Sequence, residues 1–397
     1  MRSTIRRTVV ALAWVAALGV LGLAQQKSPL LWGPVLGAIG PDSVAVTWNT
    51  SRPAGADLRY STAATYSKDG SWEETLSFDR HAGPAEVELT GLDAGTAYRY
   101  QLVIYEGDAV YSSDVGAFTT PTPDETSFAF LVAGDAAGDP QQAELVADAM
   151  ARNDPDAAFV LSTGDLVQSA SVAGFTAFFD AISGLALSHP YLPVVGQGVG
   201  SDSSYYSYFA LPAGGGESNE EWWSFDYGDV HMVGLDSTLL REPDGAGRMQ
   251  AQIQWAKANL AASTARFKIV VMNGPLYSSN LDGGVDAALE RLWAPVFQET
   301  GVDVVFSDTF ACYEHLFVHG VHYLVTGGAG APPKSPPAEQ IDTTVSARYG
   351  TLHYLRVTVS KDGMQVAMIP VAAVYGGEAH PIPDAVSPDA FTVTGAR

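Results

Sequence analysis

The segment Phe-Ala-Phe-Leu-Val-Ala-Gly-Asp at residues 128–135 joins an unbroken apolar run directly to a carboxylate. The chain repeats this arrangement in Phe-Val-Leu-Ser-Thr-Gly-Asp at residues 159–165. Two helical stretches and a further apolar run complete the pattern, at 141–152, 175–182 and 191–195. Apolar strands that alternate with helices predict a sheet that is buried on both faces. In such sheets the functional side chains lie on loops beyond the strand ends, where Asp135 and Asp165 stand.

Residues 30–120 show a different pattern, with short alternating segments separated by Gly and Pro. Alternation at period two predicts a small antiparallel sandwich. The run Leu-Thr-Gly-Leu-Asp-Ala-Gly-Thr-Ala-Tyr-Arg-Tyr at 89–100 resembles a fibronectin type III signature, in which a tyrosine packs against the turn before it. Residues 121–124 form a stiff polar linker. We therefore predict a domain at 30–120, a second domain at 125–376 and a C-terminal tail at 377–397.

The first 24 residues have the features of a secretory signal. Arg2, Arg6 and Arg7 precede an apolar run that ends in Gly-Leu-Ala at 22–24. This run is shorter than the roughly 20 apolar residues that cross a bilayer. The sequence leaves open whether the segment is cleaved after residue 24 or kept as an anchor. In either case we expect a secreted, envelope or periplasmic protein with no membrane span in the mature chain.

Composition limits the partners of the chain. The formal net charge of −23 creates a field that repels nucleic acid and anionic lipid, so we expect no nucleic-acid partner. The sequence names no other partner. Cys312 is the single cysteine, which excludes an intrachain disulfide. Its side chain is either a small buried hydrophobe or a reactive thiol, and composition favours the first.

Five strand-end segments occur in the order, and near the spacing, of a purple acid phosphatase, a branch of the calcineurin-like metallophosphoesterases. Further stretches match the framework strands of that family: 221–231, 235–238 and 254–255. The resemblance implies a four-layer α/β (α+β) metallophosphoesterase sandwich, preceded by the all-β fibronectin type III-like domain. It also implies phosphoric monoester hydrolysis at a two-metal centre that holds iron with iron, zinc or manganese.

Two carboxylates of the family's metal centre are retained. By resemblance, Asp135 fits the first metal carboxylate and Asp165 fits the carboxylate that bridges the ions. Gln168 stands where iron-containing members carry a tyrosine ligand, so even a metal-loaded form would lack their colour. A second interpretation of both aspartates needs no metal, because a carboxylate at a strand end can cap a helix or accept loop amide hydrogen bonds.

The family's other ligand positions have changed. In the third motif Gln197 keeps an amide oxygen, but Gly198 replaces the histidine that contacts phosphate, so we identify no catalytic residue. In the fourth motif Asn273 replaces an imidazole and offers a weaker donor. In the fifth motif Thr309 and Ala311 replace two imidazoles.

These replacements lead to two hypotheses. The first is a catalytically impaired or inactive homologue that acts as a binding or envelope module. The second is an active phosphomonoesterase with an oxygen-rich site, in which Asp139 and Asp308 add ligands and a phosphoester is the substrate. We expect no cofactor or a weakly held Mg²⁺ or Ca²⁺, because oxygen donors suit hard cations. Without a cation, at least one of the paired carboxylates is expected to hold its proton to raised pH.

Overall fold

The computed structural model describes residues 27–199, 204–383 and 386–395. The predicted signal at 1–24 lies outside the described residues. The first part of the chain is an all-β domain in which every strand pairing is antiparallel. Its elements are β1 (Leu30–Ile39), β2 (Ser43–Thr62), α1 (Ala63–Asp69), β3 (Glu74–Thr90), β4 (Ala97–Glu106), β5 (Ala109–Ser112) and β6 (Gly116–Thr119). This confirms the predicted all-β N-terminal domain.

The long strands β2 and β3 shape this domain. Their pairing is interrupted between Thr50 and Ala56, so the first half of β2 pairs with β1 and its second half pairs with β4. Register breaks of this kind bend a strand and let it join two layers. The hydroxyl of Tyr98 accepts a hydrogen bond from the N–H of Asp93 at 2.9 Å. A tyrosine therefore packs against the turn before it, as the sequence predicts.

The second part of the chain alternates strands and helices around two sheets. Its strands are β7 (Phe128–Ala133), β8 (Val160–Ser162), β9 (Tyr191–Pro193), β10 (Gly214–Gly215), β11 (Trp222–Tyr227), β12 (Val230–Leu235), β13 (Phe267–Met272), β14 (Val304–Ser307), β15 (Cys312–Val318), β16 (Val321–Thr326), β17 (Thr344–Tyr349), β18 (Thr351–Ser360), β19 (Gly363–Tyr375), β20 (Glu378–Pro381) and β21 (Ala390–Val393). Its α-helices are α2 (Pro140–Asn153), α3 (Val172–Ala186), α4 (Tyr205–Tyr208), α5 (Gly245–Ala262) and α6 (Ala287–Thr300). Short 3₁₀ turns cover Thr238–Arg241 and Asp282–Gly284.

The two sheets face each other between pairs of helices. The first runs in the order β20-β19-β18-β7-β8-β9, and the second in the order β10-β11-β12-β13-β14-β16-β15-β17. Aromatic rings join their inner faces, since Phe159 lies 5.4 Å from Phe225 and 5.2 Å from Tyr227 between ring centroids. Helices α2 and α3 pack with the first sheet, and α5 and α6 with the second. The predicted four-layer sandwich is confirmed.

The C-terminal residues differ from the sequence prediction. The segment 377–397 was expected to be a tail, yet β20 and β21 both pair with β19 in the first sheet. Its prolines lie between or at the ends of these short strands, where a missing N–H breaks no ladder. None of the helices in the described ranges is long and apolar enough to cross a membrane.

The two domains are fixed against each other. Trp32 of β1 stacks on Phe179 of α3 with ring centroids 4.0 Å apart, and only 4% of Trp32 is exposed. The hydroxyl of Tyr100 donates to the carbonyl of Leu187 at 2.9 Å. An aromatic anchor together with directional hydrogen bonds holds the domains in one arrangement.

Candidate functional site

The predicted site residues all follow strands that end at one edge of the facing sheets. Asp135 follows β7, Asp165 follows β8 and Gln197 follows β9, while Asn273 follows β13 and Thr309 follows β14. Strands β7, β8 and β9 are parallel to one another, as are β13 and β14. The carboxyl ends of parallel strands meet at the same edge of a sheet, so the five positions converge.

The backbone at this edge is strained. Asp135, Asp165 and Thr309 have positive φ angles of 60°, 47° and 81°. The left-handed region is unusual for any residue with a side chain and most unusual for a β-branched threonine. Each such residue costs about 1–3 kcal/mol and persists only where its surroundings enforce it. Here the backbone of Asp135 is held from both sides, by a bond from its N–H to the carbonyl of Gly164 at 3.2 Å and one from the N–H of Ala331 to its carbonyl at 2.9 Å.

Hydrogen bonds across the two sheets form what we call the Asn273 cluster, made of Thr163, Asn273, Asp308 and Thr309. The side-chain amide nitrogen of Asn273 donates to the Asp308 carboxylate and to the carbonyl of Thr163, the latter at 3.1 Å. The Thr163 hydroxyl donates to Asp308 Oδ2 at 2.9 Å, and the N–H of Thr309 donates to Asp308 Oδ1. Asn273 is 1% exposed and Asp308 is fully buried.

The orientation of the Asn273 amide follows from its partners. A backbone carbonyl only accepts hydrogen bonds, so the group that faces the Thr163 carbonyl is the NH₂. That NH₂ therefore also faces the Asp308 carboxylate. Asn273 stands where the family resemblance places a metal-binding imidazole, and it presents a hydrogen-bond donor there.

Gln197 and Asp165 form the outer part of the site. Asp165 Oδ1 accepts a hydrogen bond from the backbone N–H of Gln197 at 2.6 Å. The exposed Gln197 side chain donates through Nε2 to the Thr309 hydroxyl at 3.3 Å. The carboxylate of Asp165 thus holds the loop after β9, which is the use that the metal-free interpretation predicts.

Burial and mutual repulsion raise the pKa values of the carboxyl groups. Burial raises the pKa of Asp135 to about 8, with a further contribution from the charge of Asp165. Burial also raises the pKa of Asp308 well above its usual range, as do the charges of Asp165 and Asp135, while hydrogen bonds from Thr163 and Thr309 oppose the rise. This agrees with the expectation that at least one carboxyl group keeps its proton to raised pH.

Position 198 has no room for a side chain. A Cβ atom on Gly198 would lie 1.9 Å from the carbonyl oxygen of Val167. The loop after β9 therefore cannot carry the histidine of the family motif unless its backbone moves. Ala311 lies directly before β15, and its carbonyl accepts a hydrogen bond from the N–H of Lys334 at 3.0 Å.

The two predicted additional oxygen ligands have different places. Asp308 lies inside the Asn273 cluster. Asp139 caps α2, accepting from the N–H of Gln141 at 2.9 Å and from Gln142 Nε2 at 3.3 Å. Sequence reasoning missed Thr163, which contributes both a carbonyl and a hydroxyl to the cluster; only its place in the second motif hinted at this.

The donor set does not fit a pair of transition-metal ions. Such a centre needs imidazole nitrogens beside its carboxylates, and the replacing side chains are an amide, a hydroxyl and a methyl. The Asn273 amide directs N–H groups, not its oxygen, at the central carboxylate. Among the side chains that the structure describes, no three or more from His, Cys, Asp and Glu surround a point that could hold one metal ion.

Two facing sheets between helix pairs, with aspartates at the carboxyl ends of β7 and β8, define the fold of a purple acid phosphatase-like metallophosphoesterase. The structure of purple acid phosphatase PPD1 from yellow lupin (Lupinus luteus) seeds matches with a TM-score of 0.68 at 15% identity, covering 91% of this chain and 74% of that chain. PhoD matches with a TM-score of 0.72 at 12% identity, covering 93% of this chain and 91% of that chain.

A third similar structure is GAP50, described as the anchor in the inner membrane complex of Plasmodium. It matches with a TM-score of 0.53 at 14% identity and covers 69% of this chain and 90% of that chain. No family model matches the sequence, and no curated protein matches it. At these identities the comparisons establish the fold.

Proposed function

We propose that this chain is an exported protein with the purple acid phosphatase fold that has lost two-metal phosphoester hydrolysis and acts as a binding or envelope module. The observation that carries the proposal is the Asn273 amide, which donates to Asp308 and to the Thr163 carbonyl where a metal ligand is expected. The export part rests on the basic and apolar segment at 1–24.

Two-metal hydrolysis requires one ion to activate water while both ions neutralise the phosphate. Here the central carboxylate is already satisfied by hydrogen bonds from within the protein, which compete with any cation. The position of the phosphate-contacting histidine is Gly198, where the neighbouring carbonyl of Val167 excludes a side chain. Each factor of ten in rate is about 1.4 kcal/mol of barrier, so the loss of several such contacts together costs many powers of ten.

In the alternative, an oxygen-rich phosphomonoesterase, Asn273 would offer a cation only its Oδ1, which the Thr309 hydroxyl faces at 3.5 Å, because its NH₂ donates to Asp308 and to the Thr163 carbonyl. Turning the amide towards Asp308 would place Oδ1 against the Thr163 carbonyl, which is an acceptor in any protonation state of the site. A buried acceptor that faces other acceptors is strongly disfavoured. GAP50, which shares this fold, is described as the anchor in the inner membrane complex of Plasmodium, and that description supports a binding role for the fold.

The test combines elemental analysis of the purified protein with hydrolysis of p-nitrophenyl phosphate, from acidic to alkaline pH, with Mg²⁺, Ca²⁺, Mn²⁺ or Zn²⁺ added. We expect less than one equivalent of iron, zinc or manganese, and no hydrolysis above that of buffer. Asp165→Asn is the matched control for contaminating phosphatases, because their activity would persist in this variant. Turnover by the natural chain that disappears in Asp165→Asn would overturn the proposal.

A further inference from the structure

A cleft of about 640 Å³ lies at the end of the first sheet opposite to the candidate site. Residues at or before the starts of β7, β8 and β9 line it, among them Phe128, Ala157 and His189. The candidate site is built from residues that follow the same strands. The facing wall comes from β4 and β6 of the N-terminal domain, so the cleft lies between the two domains.

This cleft is preformed. Leu187, which follows α3, accepts hydrogen bonds on its carbonyl from the Tyr100 hydroxyl at 2.9 Å and from the N–H of Ala117 at 3.4 Å. Together with the stacking of Trp32 on Phe179, these bonds fix the two walls relative to each other. Small-molecule sites occupy clefts of about 300–1,000 Å³ and are common at domain interfaces. The volume and the position are therefore those of a ligand site.

Arg99 places an unpaired guanidinium in the cleft. It lies on β4 and is half-buried. Its guanidinium makes no ion pair and no hydrogen bond with any residue in the described parts of the chain. An arginine fork matches the two oxygens of a carboxylate in geometry and in charge.

Tyr227 places a second polar group, its hydroxyl, in the cleft. Its side chain lines the same cleft and is only 7% exposed, yet its hydroxyl has no hydrogen-bond partner among the residues that the structure describes. The hydroxyl oxygen reaches solvent in the cleft, so it is free to donate to a bound ligand. Burial and the charge of Glu125 raise the pKa of Tyr227 to about 12, so the hydroxyl remains a donor at neutral pH.

The acidic side chains of the lining narrow the choice of ligand. Glu125 and Asp156 also border the cleft, and Arg99 is the single Lys or Arg in the lining. These carboxylates oppose a dianion such as a phosphate monoester more strongly than a monoanion, which can pair with the single guanidinium. The rings of Phe128 and Tyr227, which lie 4.6 Å apart between centroids, offer apolar surface for the body of the ligand.

We propose that the interdomain cleft binds a small organic monocarboxylate with an apolar body, whose carboxylate pairs with Arg99 and is further held by the Tyr227 hydroxyl. This site shares no residue with the candidate site after β7 and β8. It therefore goes beyond the proposed loss of hydrolysis and does not depend on it.

The test is isothermal titration calorimetry of the full chain with 3-phenylpropionate as the probe. We expect saturable binding to one site. The affinities for 3-phenylpropanol and for phenyl phosphate should be lower by about tenfold or more. Arg99→Gln is expected to weaken 3-phenylpropionate by about tenfold or more. Arg80→Gln is the matched control: this exposed arginine of β3 donates to the Pro53 carbonyl, lies outside the cleft, and should leave binding unchanged.

Tyr227→Phe keeps the ring and its packing while removing the hydroxyl, so it tests the second contact without a risk to folding. We expect it to weaken the probe by about three- to tenfold, as for the loss of one hydrogen bond. The absence of saturable binding to the natural chain would overturn the proposal. The proposal would also be overturned if Arg99→Gln, with an unchanged thermal unfolding midpoint, bound 3-phenylpropionate as tightly as the natural chain does.

Discussion

Replacing Asn273 by leucine tests whether its amide stabilises the fold or binds a metal ion. Leucine has nearly the same volume but donates no hydrogen bond, so Asn273→Leu leaves Asp308 and the Thr163 carbonyl each without one donor. Asn273 is 1% exposed and Asp308 is fully buried, so water has little access to either acceptor. The loss is about 1–3 kcal/mol for each buried acceptor.

Burial of the apolar leucine carbons in place of a polar amide offsets this loss by about 1 kcal/mol. We therefore expect the free energy of unfolding to fall by about 1–5 kcal/mol. The measurement is urea denaturation in EDTA, with a comparison of midpoints and slopes. Gln197→Leu is the matched control, since its exposed amide makes one long contact of 3.3 Å and should change stability by less than about 1 kcal/mol.

If Asn273 were instead a metal ligand, its replacement would act only through the bound cation. Asn273→Leu would then be as stable as the natural chain in EDTA and would lose only the stabilisation that added Mg²⁺ or Ca²⁺ provides. Equal unfolding midpoints of the two proteins in EDTA would refute the assignment of the Asn273 cluster.

Two further predictions concern buried charge. The pKa of Asp135 is raised to about 8, so the folded chain holds a proton there that the unfolded chain releases near pH 4. Stability therefore falls as pH rises from about 4 to about 8. Urea titrations should show a weaker fall in Asp135→Asn, and an equal dependence of the unfolding free energy on pH in both proteins would contradict the raised pKa. Lys268 is 4% exposed and its ammonium donates to the carbonyls of Leu260 and Thr300 at 2.6 and 3.0 Å, near the ends of α5 and α6. Lys268→Met should lower the free energy of unfolding by about 2–4 kcal/mol in the same assay, and a change below about 1 kcal/mol would show that other groups satisfy these helix ends.

The fold could be predicted because its signals are local. An apolar run that ends in Gly-Asp marks β7 and its loop, and the same pattern marks β8 and Asp165. The position of Asp139 was also readable from the sequence, since Asp followed by Pro140 is the pattern of a helix N-cap, and the cap occupies that carboxylate. The expectation that Asp139 adds an oxygen ligand rested instead on its nearness to Asp135 in the chain.

The chemistry of the site could not be predicted, because it depends on distant partners. The amide of Asn273 is oriented by the carbonyl of Thr163, 110 residues earlier in the chain and in the other sheet. The exclusion of side chains at Gly198 depends on the carbonyl of Val167, which belongs to another loop. A sequence shows that a ligand is missing, whereas only the packed backbone shows which group now occupies its place.

The strained backbone at the strand ends requires interactions that hold it, and side chains in the changed ligand positions provide some of them. Left-handed conformations at Asp135, Asp165 and Thr309 each cost about 1–3 kcal/mol, and some interaction must hold them. Here Asp308 receives hydrogen bonds from the backbone of Thr309 and from Asn273. Hydrogen bonds from within the protein therefore hold the loop after β14 at Asp308 and Thr309.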